Sequence, residues 1–95
     1  MQPIGKEKLY WLIRLFVSGH HDIGTFCKEF EKAYNFEVGN SELSAQERTV
    51  FAELFKKVTL YSPFPEEIKI YPAYQSAEQI KDAVRVAQLA LGINV

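Results

Sequence analysis

The chain has 95 residues, 47% of them hydrophobic and 24% charged, with a formal net charge of -1. This length suits one domain around one core, and the aromatic content with low net charge excludes a disordered chain. A charge so close to zero also argues against a strongly basic nucleic-acid binder.

In chain order, the first helical pattern runs from about Lys6 to Ser18. Leu9, Leu12, Ile13, Phe16 and Val17 fall on one face, and Trp11 and Leu15 widen it, which predicts a central helix. Gly19 sits where a C-terminal cap belongs. The second pattern runs from about Asp22 to Phe36, with Asp22 or Thr25 as the cap. Its apolar stripe is Ile23, Phe26, Cys27, Phe30, Ala33 and Tyr34. Residues 36–44 contain Gly39-Asn40-Ser41 and read as a loop.

Ser44-Ala-Gln-Glu47 has the form of a capping box and predicts a third helix from Ala45 to about Leu60. Val50, Phe51, Leu54, Phe55 and Val58 form its stripe, and Lys56 and Lys57 suit its negative C-terminal pole. Tyr61-Ser-Pro-Phe-Pro65 stops it, because two prolines in three residues favour extended backbone. The connection to Gln75 shows no strong secondary pattern, although Ile68-Lys-Ile-Tyr71 suits a short extended piece. Ser76-Ala-Glu-Gln79 is a second capping box, opening a helix from Ala77 to about Leu91 with Gly92 at its end. The expected fold is therefore all-α: one domain over residues 1–95, a small antiparallel four-helix bundle with a long proline- and aromatic-rich loop between helices three and four.

Charge is unevenly spread. Residues 1–19 carry a balance of +2, from Lys6, Lys8 and Arg14 against Glu7. Residues 20–53 carry seven acids (Asp22, Glu29, Glu31, Glu37, Glu42, Glu47, Glu53) against Lys28, Lys32 and Arg48, a balance of -4. Such a run is ordinarily a solvated helix face. It is also what a cationic partner recognises.

Catalytic and metal signatures are weak. His20-His21-Asp22 is the one cluster that suggests metal or acid–base work, but adjacent histidines diverge and no third histidine exists to complete a zinc site. Cys27 lies on an apolar stripe, where a thiol behaves as a small hydrophobe. As the only cysteine it makes no internal disulfide, so the fold needs no oxidising compartment. There is no phosphate-cradling glycine loop and no nucleophile elbow. No set of groups fills the roles of an active site, so a binding protein is expected: not an enzyme, with no cofactor and no metal. The N-terminal stretch lacks a signal-peptide pattern, and the most apolar run, Leu9 to Val17, is too short to span a bilayer. A cytoplasmic location is expected, without membrane or nucleic-acid partners.

The run Val58-Thr-Leu-Tyr-Ser-Pro-Phe-Pro-Glu-Glu67, then Tyr71-Pro-Ala-Tyr74 and Ser76-Ala-Glu-Gln79, resembles the bacterial self-protective colicin-like immunity family. Its members include the colicin D immunity protein and immunity proteins of contact-dependent inhibition systems. Phe16-Val-Ser-Gly19 and Phe26-Cys-Lys-Glu-Phe30 are similar to that family's first helical hairpin. The resemblance implies a small antiparallel helical bundle. It also implies a cytoplasmic partner, the C-terminal nuclease domain of a cognate toxin, often one that cleaves tRNA. Inhibition would follow from occlusion of the toxin's active site.

An RNA-cleaving cleft must hold phosphates and is basic, so carboxylates on the inhibitor match it and speed encounter. The candidate toxin contacts are Asp22, Glu29, Glu37 and Glu42 from the acidic segment, with Phe64, Glu66, Glu67 and Tyr71 from the proline loop. Two other classes compete. One is a nucleic-acid-binding or regulatory helical domain, which should present a basic recognition helix. The other is a scaffold bundle that self-associates through the Phe64 loop.

Overall fold

The computed structural model describes residues 3–94, with Asn40 described through its backbone alone. Met1 and Gln2, part of the N-terminal stretch read above, and Val95 lie outside the described residues. The described chain is all-helical: α1 Lys6–Val17, α2 Ile23–Phe36, a 3-10 turn Asn40–Glu42, α3 Ala45–Val58, α4 Pro65–Ile70 and α5 Ala77–Leu91. It contains no strand among the described residues, only an isolated parallel bridge between Tyr61 and Gln75.

Local chemistry sets the helix ends. After Val17 the chain turns through Gly19 at φ 84°, a left-handed conformation that suits glycine. The His20 amide then donates to Leu15 O at 2.8 Å and the Gly19 amide to Phe16 O at 3.1 Å, a Schellman closure. Asp22 caps α2 by accepting the Thr25 amide at 2.7 Å. Ser44 and Glu47 form the expected capping box on α3, as do Ser76 and Gln79 on α5. Gly92, at φ 64°, closes α5, and the Ile93 amide returns to Gln88 O at 3.0 Å.

The segment between α3 and α5 departs from expectation. Instead of an irregular loop with an extended piece at 68–71, it folds as α4 from Pro65 to Ile70. Pro65 occupies the first helical turn, where its missing N–H costs nothing and its fixed φ suits the helix. Glu66 and Glu67 follow at the positive pole. α3 itself ends at Val58, ahead of both prolines, and Pro65 opens the next helix.

The core lies between α1, α2, α3 and α5. Phe26, Phe30, Phe51, Leu9, Ile13 and Ile80 are fully buried, each contributing about 1.5–3 kcal/mol of transfer free energy. Phe16 stacks on Phe26 at 4.7 Å, Tyr34 on Phe55 at 4.5 Å, and Tyr10 meets Phe51 edge-on at 5.5 Å. α1 packs on α2 and α5, and α3 packs on α2 and α5. α1 is less enclosed than its all-round apolarity suggested: Trp11, Leu15 and Phe16 are half-buried and Val17 is exposed. No helix of the described residues is long and apolar enough to cross a membrane.

Candidate interaction surface

Residues 62–74 form a closed excursion between α3 and α5. Its two ends are tied by the Gln75 amide donating to Leu60 O at 2.7 Å and the Ser62 amide donating to Gln75 O at 2.9 Å. Inside it, buried Ser62 acts as a hub. Its hydroxyl donates to Glu67 Oε1 at 2.5 Å and accepts the Phe64 amide at 3.2 Å. These bonds fix the N-terminus of α4 in place of a side-chain cap, which it lacks.

α4 buries none of its residues. Phe64 is 57% exposed, Ile70 67% and Tyr71 59%, so three large apolar side chains stand in solvent on one short segment. Tyr71 lies edge-on to Tyr74 at 5.8 Å, and Tyr74 is half-buried, as is Tyr61 at the foot of the excursion. The four aromatics of this connection therefore divide: Tyr61 packs against the core and Tyr74 is half-buried, while Phe64 and Tyr71 face out. Glu66 and Glu67 are exposed beside them. An exposed apolar cluster rimmed by polar groups is a common mark of an interaction site.

The four acids of the central segment are placed apart from one another. Glu37 Oε1 accepts from Lys8 Nζ at 2.8 Å, and Glu42 Oε2 accepts the Gly39 amide at 2.9 Å while its other oxygen crowds Gly5. Both therefore sit around the N-terminal end of α1. Asp22 lines a cavity with Val17 and Ala77, at the other end of α1, about 18 Å away at 1.5 Å per residue. Glu29 is half-buried and borders a small cavity with Lys8, Trp11 and His21. The structure thus joins Glu37 with Glu42, and Phe64 with Glu66, Glu67 and Tyr71, but does not gather all eight residues in one patch.

Several of these carboxylates are already engaged. The Thr25 backbone amide holds the Asp22 carboxyl below its ordinary value. Glu47, counted above as part of the acidic run, is buried. The Ser44 backbone amide and then the Tyr10 hydroxyl hold its carboxyl low. Burial pushes the Cys27 thiol up to about 12, so it stays protonated at neutral pH. Among the described residues no three His, Cys, Asp or Glu side chains cluster as a metal site. His20 is exposed, its Nδ1 2.9 Å from Ser18 Oγ.

Sequence reasoning missed Ile70, which belongs to no stripe until α4 is recognised. It also missed the exposure of Val86 and Leu89 on α5, which lie beside the helix's buried stripe of Ile80, Val84 and Ala87. Their flanking position, off the i, i+4, i+7 repeat, was the available signal. Compared with known protein families, curated proteins and solved structures, this chain matches none of them.

Proposed function

We propose that this chain is an immunity protein: it binds a cognate toxin nuclease domain, of the tRNA-cleaving kind, and neutralises it by occluding the basic cleft. It acts in the cytoplasm by binding and not by catalysis. The observation that carries this reading is the α4 excursion, which projects Phe64, Ile70 and Tyr71 with Glu66 and Glu67 and buries none of α4. Aromatic anchors supply affinity when a partner desolvates them, and carboxylates supply steering and register toward a cationic cleft. The segment is also where the resemblance to the colicin-like immunity family is most specific, in Tyr61-Ser-Pro-Phe-Pro-Glu-Glu67.

The frame beneath it is read as an antiparallel four-helix bundle of α1, α2, α3 and α5, with α4 as an insert. Gln46 near the start of α3 bonds Ala90 O near the end of α5 at 2.9 Å, and Lys8 near the start of α1 reaches Glu37 just past α2, both of which support that reading. Self-association through α4 is the second reading, since the same apolar groups suit a second copy. A two-fold contact there would bring like carboxylates toward each other, which disfavours it.

The test is titration calorimetry of the 95-residue chain against the C-terminal nuclease domain of a toxin encoded beside it. Stoichiometric binding with loss of tRNA cleavage is expected. Absence of both binding and protection against every adjacently encoded toxin would end the proposal.

A further inference from the structure

The turn between α1 and α2 and one face of α5 border an open cavity of about 530 Å3. Its apolar lining comes from Phe16, Val17, Ile23 and Val84. Its α5 wall carries Lys81 and Arg85, one helical turn apart on the same face. Asp22 is the only acid in the lining, and its Oδ1 is taken by the Thr25 amide at 2.7 Å. Lys81 is held by Glu78 at 3.4 Å in an exposed pair, whereas Arg85 forms no ion pair with the described residues. The lining therefore sets two cations against one carboxylate over an apolar floor, and Arg85 is the cation without a paired acid.

His21 also lines this cavity, as it lines the smaller one beside Glu29.

We propose that this cavity is a binding site for a small organic acid, a monocarboxylate with an apolar chain. The carboxylate lies on the Arg85 guanidinium, whose planar fork matches two carboxylate oxygens. The chain lies on Phe16, Ile23 and Val84. The volume falls within the range of ligand sites. An apolar floor selects against a fully hydrated anion such as phosphate, because burial of each methylene raises affinity by about fourfold. The site shares no lining residue with the α4 surface, and Asp22 is the one candidate toxin contact within it.

The test is an amide NMR titration of the 15N-labelled full chain with octanoate, alongside hexanoate, octanol and inorganic phosphate. Octanoate is expected to give saturable shifts at His21, Ile23, Val84 and Arg85. Hexanoate, two methylenes shorter, is expected to bind on the order of 16-fold more weakly. Octanol should bind at least tenfold more weakly than octanoate, and Arg85→Gln should weaken octanoate by a similar factor with unchanged circular dichroism. The proposal is overturned if millimolar octanoate gives no saturable shift, if octanol or phosphate binds as well as octanoate, or if Arg85→Gln binds octanoate like the native chain. The octanol comparison decides the matter on the native protein should Arg85→Gln misfold.

Discussion

The Tyr10 hydroxyl of α1 donates to Glu47 Oε2 of α3 at 2.5 Å, while Glu47 Oε1 accepts the Ser44 amide at 2.8 Å. One carboxylate thus caps its own helix and ties that helix to α1, and Lys6 Nζ lies 3.5 Å from the same Oε1. Hydrogen bonds to a charged, buried acceptor are each stronger than neutral ones. Glu47→Ala removes the carboxylate half of the capping box, the Ser44 hydroxyl keeping its bond from the residue 47 amide, and leaves the Tyr10 hydroxyl without its acceptor. It is expected to cost about 2–3 kcal/mol of stability, read by urea denaturation. A loss within about 0.5 kcal/mol, typical of an ordinary surface site, would contradict this role.

This network and the separate Asp22 cap of α2 make stability depend on pH. Glu47 and Asp22 are held below their ordinary values of 4.5 and 3.8, chiefly by the Ser44 and Thr25 backbone amides, so the unfolded chain takes up protons first. Their contribution is complete above about pH 4.5 and is lost as pH falls through the native values. Tyr10 behaves oppositely. Burial, and next its bond to Glu47, push it from 10.0 up to about 12. Its contribution is complete below pH 10 and disappears as pH climbs toward about 12. Chemical denaturation across pH should give a plateau bounded by these two falls. In Glu47→Gln the acid fall should be shallower; an unchanged acid limb would contradict the assignment.

Phe51 and Phe64 make a matched pair of tests. Phe51 is fully buried and touches both Tyr10 and Phe30. Phe51→Ala is expected to cost about 3–5 kcal/mol, a large part of the total stability of a chain this size. Phe64→Ala should change stability by less than about 1 kcal/mol, because the ring is mostly in water. Equal effects in thermal denaturation would mean that Phe64 packs as a core residue.

Cys27 offers a probe of global unfolding. It is buried, and its thiol is raised to about 12 by burial first and by the nearby Glu31 charge second. At pH 8 the native thiol should react with iodoacetamide at least tenfold more slowly than a free cysteine, and denaturant should abolish the difference. Native labelling at the free-thiol rate would show that the α2 face opens readily.

Most of the frame was legible in the sequence because helix ends are local chemistry. Ser44 with Glu47 and Ser76 with Gln79 placed the starts of α3 and α5, and Gly19 with Asp22 marked the α1–α2 turn. α4 was not legible: it is under two turns long, and Pro63 and Pro65 around Phe64 read as extended backbone, although Pro65-Glu66-Glu67 is also a helix opening. The candidate surface was legible only in part. Which of Tyr61, Phe64, Tyr71 and Tyr74 face out depends on the Ser62 hub and the Leu60–Gln75 closure, and Ser62 packs beneath a helix that the pattern did not reveal. Long-range partners were equally hidden. Nothing in the spacing says that Lys8, only 8% exposed, meets Glu37, or that Glu47 leaves the acidic face to lie beneath Tyr10.

The proposed recognition through α4 is tested most directly by the affinity of Phe64→Ala/Tyr71→Ala for the C-terminal nuclease domain of a toxin encoded beside this chain, measured beside the native chain. At least a 100-fold rise in Kd with an unchanged unfolding midpoint is the predicted result, as two interface anchors are lost. Native affinity in a well-folded double variant would show that the partner docks elsewhere.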